Sequence, residues 1–281
     1  MADDAPCPVL IPCGVDLVGA ANTMRSGGDD PRLMGLPLIN RTPWDDGADL
    51  DRADLSPWFN PFLSHFAADA RRCGGEVRVI RDDEAVTGLM VSDPVERVGS
   101  VFSRSRAIAE PFVRDRGPFG LYSEFPFEPS GEVFDILTLS LTEGAPSHRF
   151  RHPLRPFSAK DLPEVLGLLR EVYGVVNERW FDQLPSPTEA GFLSEVDGRI
   201  AGIGWVSLAR RRARLHSLTV RAPFRRMGIG TDLLFARLLW AHRSGALDVL
   251  SEISQRNPGS LTVAARGGLR RVGQIYFYPP L

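Results

Sequence analysis

Lysine is almost absent from this sequence, because Lys160 is the single lysine among its 33 basic residues. A nucleotide-triphosphate loop of the P-loop type needs a lysine directly after glycine, whereas Lys160 follows an alanine. The sequence therefore excludes a P-loop, and any phosphate that the chain binds must be held by other groups.

Cysteines and long apolar runs are also scarce. Cys7, Cys13 and Cys73 are the only cysteines, and they show neither CxxC spacing nor a clustered histidine partner, so we expect free thiols, no disulfide framework and no metal site. No apolar run approaches the length of about 18 residues that a membrane span needs. The acidic, proline-containing start MADDAPCPVL differs from a signal peptide. We therefore expect a cytoplasmic protein without membrane contact.

The charge is distributed unevenly along the chain. The formal net charge is −2, yet residues 1–149 carry 14 basic against 24 acidic residues, whereas residues 150–281 carry 19 against 11. The basic run from Arg210 to Arg214 falls in a predicted turn, and no wider basic surface accompanies it, so nucleic acid is not an expected partner. The N-terminal half is therefore acidic and the C-terminal half basic.

Periodicity divides the chain into three parts. Residues 1–54 are rich in Pro, Gly and Asp and predict an irregular extension, with a short strand near Val9–Ile11. Residues 55–145 predict an N-terminal α/β domain, which opens with a helix capped by Ser56 and continues with two strands around an Asp-rich turn. Residues 150–281 predict a second α/β domain. It begins with a short strand and a helix capped by Ser158, and Asp197-Gly198 marks a hairpin.

The two halves echo each other weakly. At an offset of 114 the segment DEAVTGLMV lies over DGRIAGIGW, which aligns Gly88 with Gly202, and at an offset of 112 EPFVRDRG resembles APFRRMG. Hairpins match by chance often, but the order of elements agrees in both halves. We expect the N-terminal half to be a degenerate second copy of the C-terminal fold.

The segment LTVRAPFRRMGIGTDLLF carries the most specific chemical signal. It reads as a strand ended by proline, followed by Arg225-x-x-Gly228-x-Gly230 at the start of a helix. The first amides of a helix have no partner within it, so they bind anions, and glycine lets a bulky anion approach the backbone. A dinucleotide fingerprint would need a third glycine where Leu233 stands. The predicted ligand is a pyrophosphate.

This loop and two further segments resemble the GNAT superfamily of acyl-CoA N-acyltransferases. LRPFSAKDLPEVLGLL is similar to the family's opening strand and helix, and HSLTVRAPFRRMGIGTDLL to its acyl-CoA strand and pyrophosphate loop. NPGSLTVAARGGLRRVG resembles the second motif, in which Asn257 is followed eleven residues later by Gly268-Leu269. The resemblance covers the predicted domain 150–281 and implies a mixed α+β sheet that is splayed between two strands.

The resemblance also implies acetyl-CoA, or another short acyl-CoA, as co-substrate. Its pantetheine arm would pair with the backbone of Leu218, Thr219 and Val220. Its pyrophosphate would lie on the loop and helix start, whose residues are Arg225, Arg226, Met227, Gly228, Ile229, Gly230 and Thr231. Asn257 would complete the cofactor site.

The family pattern breaks at the catalytic positions. Many members carry a tyrosine seven residues after the asparagine to protonate the leaving thiolate, but this chain has Ala264 there, so Tyr276 and Tyr278 become candidates. The amine must lose a proton before it attacks. His216 on the predicted acyl-CoA strand is the first candidate base, because the glutamate common two residues earlier is here Arg214. Further candidate bases are Glu195 and Glu178.

We therefore predict direct transfer of an acetyl or other short acyl group from acyl-CoA to an amine of unknown identity. The alternative is a non-catalytic acyl-CoA-binding regulatory module, since the tyrosine is missing. The chain is expected to be either a monomer with two pseudo-dimeric halves or a homodimer.

Overall fold

The computed structural model describes residues 54–281, apart from positions 57, 73, 83–84, 129–130, 175, 182–183, 185 and 210. The predicted extension over residues 1–54, including the strand near Val9–Ile11, lies outside this part except for Asp54. The strands are β1 (Glu76–Asp82), β2 (Ala85–Asp93), β3 (Val98–Ser103), β4 (Gly120–Ser123), β5 (Glu132–Ser140), β6 (Leu154–Pro156), β7 (Glu189–Val196), β8 (Arg199–Ala209), β9 (Arg212–Val220), β10 (Asp248–Ser254) and β11 (Arg270–Tyr278). The helices are α1 (Leu63–Arg72), α2 (Arg106–Arg114), α3 (Leu162–Tyr173), α4 (Ile229–Arg243) and α5 (Pro258–Arg266). The predicted α/β class with a mixed sheet is confirmed.

Local sequence signals determine the elements of the C-terminal half. Ser158 forms a capping box with Asp161, whose carboxylate accepts hydrogen bonds from the Ser158 amide and hydroxyl at 2.8 Å each, and α3 follows directly. Asp197 and Gly198 both have positive φ, as the hairpin between β7 and β8 requires. Helix α5 and strand β11 coincide with their predicted segments.

Helix α1 begins later than predicted. Ser56 caps a turn, since its hydroxyl accepts the amide of Phe59 at 2.9 Å, but residues Asn60–Phe62 form a 3₁₀ turn and the α-helix starts at Leu63. Pro61 lies in that turn and has no amide hydrogen to donate. The capping signal was right, whereas the helix itself starts only after the proline.

The two halves share one sheet and exchange their last strands. Within the described residues the sheet order is β1-β2-β3-β4-β11-β5-β10-β9-β8-β7-β6. Strand β5, the last of the N-terminal half, pairs with β10 and β11, and β11, the last of the C-terminal half, pairs with β4 and β5. All pairs are antiparallel except β3 with β4 and β9 with β10, each of which is joined by a crossover helix. The predicted segments 55–145 and 150–281 are therefore interlocked through their terminal strands.

One of the two offsets of the internal echo aligns the starts of two strands. The β1–β2 and β7–β8 hairpins occupy corresponding places, and β2 starts at Ala85 where β8 starts at Arg199, which is the expected offset of 114. The proposed counterpart of the glycine loop is wrong, because residues 110–114 belong to helix α2 and residues 115–117 follow its end. The topological equivalent of the loop before α4 is the short connection before α2. Duplication of the whole fold stays a prediction.

The sheet curls so that helix α1 lies between its two arms. Helix α1 packs against β1 and β2 on one arm and against β8 on the other. It contributes Leu63, Phe66 and Ala67 to the largest apolar cluster, which also contains residues of α3 and β8. Helix α4 packs on the opposite face, against β7, β8 and β9, and α5 packs against α4. None of the helices in the described residues is long and apolar enough to cross a membrane.

The exchanged strands predict that neither half folds alone. A fragment of residues 145–281 lacks β5, which lies between β10 and β11, so both strands lose a hydrogen-bonded neighbour in the middle of the sheet. We expect this fragment to lack a cooperative thermal transition by circular dichroism, and the fragments 1–144 and 145–281 to co-purify when co-expressed. A cooperative transition of fragment 145–281 alone would contradict this.

Candidate active site

A cleft opens where strands β9 and β10 separate. The strands pair in parallel only over residues 212–214 and 248–250, and the Ser251 hydroxyl then donates to the Leu215 carbonyl at 3.2 Å. Beyond this point the two strands line opposite sides of the cleft, which α3, α4 and α5 complete. The splayed sheet expected from the resemblance is present, and the backbone of β9 faces the cleft without a ladder partner.

A bulge bends β9 at the cleft. His216 pairs with Trp205 and Thr219 with Ile203, so two residues of β9 oppose one of β8, and Ser217 adopts a positive φ of 50°. Such bulges re-aim side chains beside active sites. Here His216 faces α1 and the loop after α3, whereas Leu218 packs toward α4.

The predicted phosphate loop lies at the mouth of this cleft. Gly228 caps α4 with φ 98°, and its carbonyl accepts the amides of Thr231 and Asp232 at 3.0 Å each. The amides of residues 226–230 have no backbone acceptor within the described part of the chain, which is the arrangement that binds a phosphate. A Cβ on Gly230 would lie 3.7 Å from Val263 and 3.8 Å from Val220, so this glycine stands between β9 and α5.

The predicted cofactor residues gather around this one cleft. Leu218 lines it directly, and so does Asn257, whose side chain accepts the Ser260 amide at 3.0 Å as the cap of α5. Arg225 donates to the Val220 carbonyl at 3.1 Å, and Met227 is 46% exposed. The remaining members follow on β9 or at the start of α4: Thr219, Arg226, Ile229 and Thr231. Leu218 and Asn257 thus line the cleft itself, and the other predicted residues lie on β9 or around the start of α4.

The segment that joins the two halves is fastened to the same helix start. Asp232, in the first turn of α4, is fully buried and accepts hydrogen bonds from His148 Nε2 at 2.6 Å and His152 Nδ1 at 2.7 Å. It also accepts the amides of His152 and Arg151 at 3.0 and 3.2 Å. Burial alone would raise the pKa of Asp232, but these hydrogen bonds outweigh it and hold the pKa below its usual value.

Four buried charged side chains and the partly buried Arg72 lie between the sheet and α1, and we call these five residues the buried charge cluster. Its members are Asp69 and Arg72 on α1, Glu189 at the start of β7, Arg214 on β9 and Glu252 on β10. Arg214 Nε lies 3.2 and 3.3 Å from the two oxygens of Glu252, and Arg214 Nη1 lies 3.5 Å from Asp69. Arg72 donates to Asp69 and to Glu189. Burial raises the pKa of Asp69, Glu252 and Glu189, the last to about 7.

His216 connects this cluster with the cleft. It lines the cleft, and its Nε2 atom lies 3.7 Å from Oε1 of Glu189. Burial, reinforced by the guanidinium groups of Arg214 and Arg72, holds the pKa of His216 well below its usual value. The imidazole is therefore neutral at physiological pH.

The other predicted catalytic residues lie away from the cleft. Glu195 binds Arg155 at the end of the β7–β8 hairpin, and Glu178 binds Arg170 on the surface. The Tyr276 hydroxyl lies 3.5 Å from Gln274 on β11, at the pairing with β4. The Tyr278 hydroxyl donates to the Phe125 carbonyl at 2.9 Å. The exchange of β11 into the N-terminal half places both tyrosines there, and this removes them from the site.

Two residues at or beside the cleft, Tyr173 and Glu189, escaped the sequence reasoning. Ala264, the position where the family tyrosine is missing, is buried and lines the cleft. Tyr173, the last residue of α3, lines the same cleft, and its hydroxyl lies 3.0 Å from that of Thr219. Glu189, the neighbour of His216, is the first residue of β7. The sequence pattern there indicates only a polar residue at the start of a strand. Neither residue belongs to a local motif, so only the fold identifies them.

The chain resembles known proteins in sequence and in fold. The family model of the acetyltransferase (GNAT) family matches residues 154–267. A Drosophila protein solved by X-ray crystallography superposes with a TM-score of 0.58 and 13% identity, covering 86% of this chain and 100% of its own. A GCN5-related N-acetyltransferase from Sphaerobacter thermophilus gives 0.54 and 14%, covering 73% and 82%. A GNAT-family acetyltransferase from Colwellia psychrerythraea gives 0.53 and 11%, covering 82% and 92%. No curated protein matches the sequence significantly.

The carboxylate of Asp232 predicts a pH-dependent contribution to stability. Because its folded pKa is depressed, the contribution is complete above the unfolded pKa of about 3.9 and is lost as the pH falls through the folded pKa. We expect D232N to lower the free energy of unfolding by about 2 kcal/mol at pH 7, since buried charge-assisted hydrogen bonds are lost. Urea unfolding at pH 7 and pH 3 checks this.

The control is D197N, an exposed hairpin residue with φ 51° that asparagine tolerates equally. Equal stability of D232N and D197N at pH 7, or a deficit of D232N that grows toward pH 3, would contradict the assignment.

Proposed function

Since residues 154–267 belong to the acetyltransferase (GNAT) family, we propose that the chain transfers an acetyl or other short acyl group from acyl-CoA to an amine. One observation carries this proposal: β9 and β10 separate directly beside the unpaired amides at the start of α4. One end of the cleft thus fits a pyrophosphate, and the unpaired edge of β9 fits the amide-bearing pantetheine arm.

The chain's own groups fit an acyl-CoA at this cleft. The amides of residues 226–230 have no backbone acceptor among the described residues and would be available to a phosphate, and Arg225 and Arg226 place positive charge beside them. The β9 backbone from Leu218 to Val220 offers hydrogen-bonding groups on its cleft edge. When bound, acyl-CoA supplies an activated acyl group as a thioester.

Two side chains in the cleft fit the proton transfers. His216 is neutral and its Nε2 has no hydrogen-bond partner among the described residues, so it is able to take the proton that the amine loses. The Tyr173 hydroxyl lies on the cleft wall and is the proposed donor to the departing thiolate, in place of the tyrosine that Ala264 replaces. Both assignments come from position in the cleft.

Cofactor binding is tested at Gly228. We expect G228V to weaken the binding of CoA at least tenfold by isothermal titration calorimetry, because φ 98° is strained for valine and the loop amides lose their alignment. The matched control is G245V at the opposite end of α4, where φ is 83° and a Cβ meets nothing within 4 Å. It carries the same backbone strain and should bind CoA as the parent does. Equal affinity of G228V and the parent would refute the assignment.

Catalysis is tested at His216. We expect H216Q to slow thiol release from acetyl-CoA in the presence of an amine by a factor of about 100 or more, with CoA affinity unchanged, because a general base is lost. His65 is the control. It is also buried, but its nitrogens lie 3.0 Å from the Arg212 carbonyl and 3.3 Å from Ser207, so H65Q should retain the activity.

An amine panel separates the two functional hypotheses. An enzyme accelerates thiol release when an acceptor is added, whereas a regulatory module binds acyl-CoA without doing so. The regulatory module is favoured by one observation, which is that His216 is buried beneath α1. CoA binding with no amine-dependent thiol release from any panel member would support the module.

A further inference from the structure

A buried cation lines the cleft without a carboxylate partner. Arg237 on α4 is 3% exposed, and it is one of the residues that line the cleft. Among the described residues no carboxylate forms an ion pair with its guanidinium, and burial alone lowers its pKa, to about 9. The group is therefore charged at physiological pH. A buried charge without a counter-ion is costly, and an anion bound in the cleft would remove that cost.

The guanidinium spends only part of its donors on the bulge of β9. Its Nε donates to the Leu233 carbonyl at 3.1 Å, and its Nη1 donates to the carbonyls of Trp205 and His216 at 3.3 and 3.4 Å. The Nη2 nitrogen has no hydrogen-bond partner among the described residues. Unlike Nη2 of Arg214, it is not sealed from solvent, so its N–H bonds are available at the cleft.

Strand β8 makes room for this side chain at Gly204. A Cβ on Gly204 would lie 2.9 Å from Arg237 Nε and 3.2 Å from its Cδ, so any other residue there would displace the guanidinium. Gly204 also stands between Ile203 and Trp205, at the point where the register with β9 shifts. The glycine and the arginine together therefore fix a positive charge at the bulge.

The bulge lies where the sulfur of a bound acyl-CoA is expected. In the proposed complex the pyrophosphate is at the start of α4, and the pantetheine arm runs along β9 from Val220 to Leu218. The next residues of the strand are Ser217 and His216, and Arg237 contacts the carbonyl of His216. The thioester end of the arm would therefore come next to the guanidinium.

The cleft fits a sulfur anion better than a carboxylate. A carboxylate has two oxygens that each accept more than one hydrogen bond, whereas sulfur is a weak acceptor that needs a charge more than it needs donors. Apolar side chains line much of the cleft, among them Leu215, Leu234 and Leu269. Ala264 stands where many family members have the tyrosine that protonates this sulfur, and it supplies no donor.

We propose that Arg237 is a catalytic residue whose charge stabilises the departing thiolate of CoA in place of the missing tyrosine. This proposal rests on the proposed acyl transfer. The amine nitrogen forms a C–N bond with the acyl carbon, the C–S bond breaks, and its electron pair goes to sulfur beside the guanidinium. The proton that the amine loses balances the proton that the thiolate takes up afterwards. The products are an amide and a thiol.

A cation beside the sulfur lowers the pKa of the CoA thiol. A free thiol has a pKa of about 8.5, and a neighbouring arginine or lysine lowers the pKa of a thiol to about 7.5 or less. The other titratable groups that line the cleft are Tyr173 on α3, His216 on β9 and Glu252 on β10, with Arg214 bound to Glu252, and the lining residues of α5 are uncharged. These groups titrate with or without a thiol, so a ligand that lacks sulfur corrects for them.

The test titrates the thiol of CoA bound to the full chain from pH 6 to pH 9 by the ultraviolet absorbance of the thiolate, with desulfo-CoA as the blank. In the parent we expect the pKa of the bound thiol to be about 7.5 or lower. R237Q keeps N–H donors for the bulge carbonyls but has no charge, so it should return this pKa to the value of free CoA. R237K keeps the charge and should retain most of the shift. The matched control is R243Q, at the exposed last residue of α4, which should behave as the parent does.

Calorimetry on the parent alone gives a second measurement that needs no variant to fold. If the bound thiolate is stabilised, the ratio of the affinities for CoA and for desulfo-CoA rises between pH 6 and pH 9. The expected rise is roughly eightfold for a bound thiol with a pKa of about 7.5.

Each outcome decides the proposal. A bound thiol with the pKa of free CoA in the parent, or an equally lowered pKa in R237Q, would overturn it and leave the proposed acyl transfer standing, with Tyr173 as the proton donor. No binding of CoA by the parent would refute the proposed function as well. A preference for succinyl-CoA over acetyl-CoA that disappears in R237Q would assign the guanidinium to a carboxylate of the acyl group instead.

Discussion

The exchange of β5 and β11 between the two halves is the constraint on which the rest of the structure depends. Each strand completes the sheet of the other half, so the arms cannot separate without breaking backbone hydrogen bonds in the middle of the sheet. The continuous sheet curls and holds α1 between β2 and β8. Helix α1 in turn brings Asp69 and Arg72 to a site whose other charged groups lie on β7, β9 and β10. The composition of the site is therefore a consequence of strand order.

Local chemistry made much of the C-terminal half predictable. Ser158, Gly198 and Asn257 each fix a cap or a turn through their own side chain or backbone freedom, and the elements next to them were predicted correctly. The glycine loop before α4 was predictable for the same reason, because unpaired amides at a helix start depend on neighbouring residues alone. The GNAT fold followed from three such segments in their expected order.

Long-range pairing was not predictable in this way. No property of β11 indicates that its neighbours are β4 and β5, and this exchange is what removes Tyr276 from the cleft. Glu189 became important only through the approach of β9 and α1. One signal was present in the sequence: Ser123-Glu124 at the end of β4 matches Ser251-Glu252 on β10, at the corresponding strand of each half. That match identifies equivalent strands better than the offset-112 alignment did.

Positions that lie at the same offset in the two halves have different surroundings. At the hairpin offset of 114, Phe102 on β3 corresponds to His216 on β9, and Phe102 packs against Phe59 and Phe66 with ring centroids at 5.2 and 4.8 Å. Aromatic packing therefore fills the place that a neutral imidazole occupies in the C-terminal half. Phe66 also lies 4.8 Å beneath the Arg214 guanidinium, so the same ring that fills one half supports the charged site of the other. The N-terminal half thus acts on the site through α1, whose apolar face joins the aromatic cluster while its polar face enters the buried charge cluster.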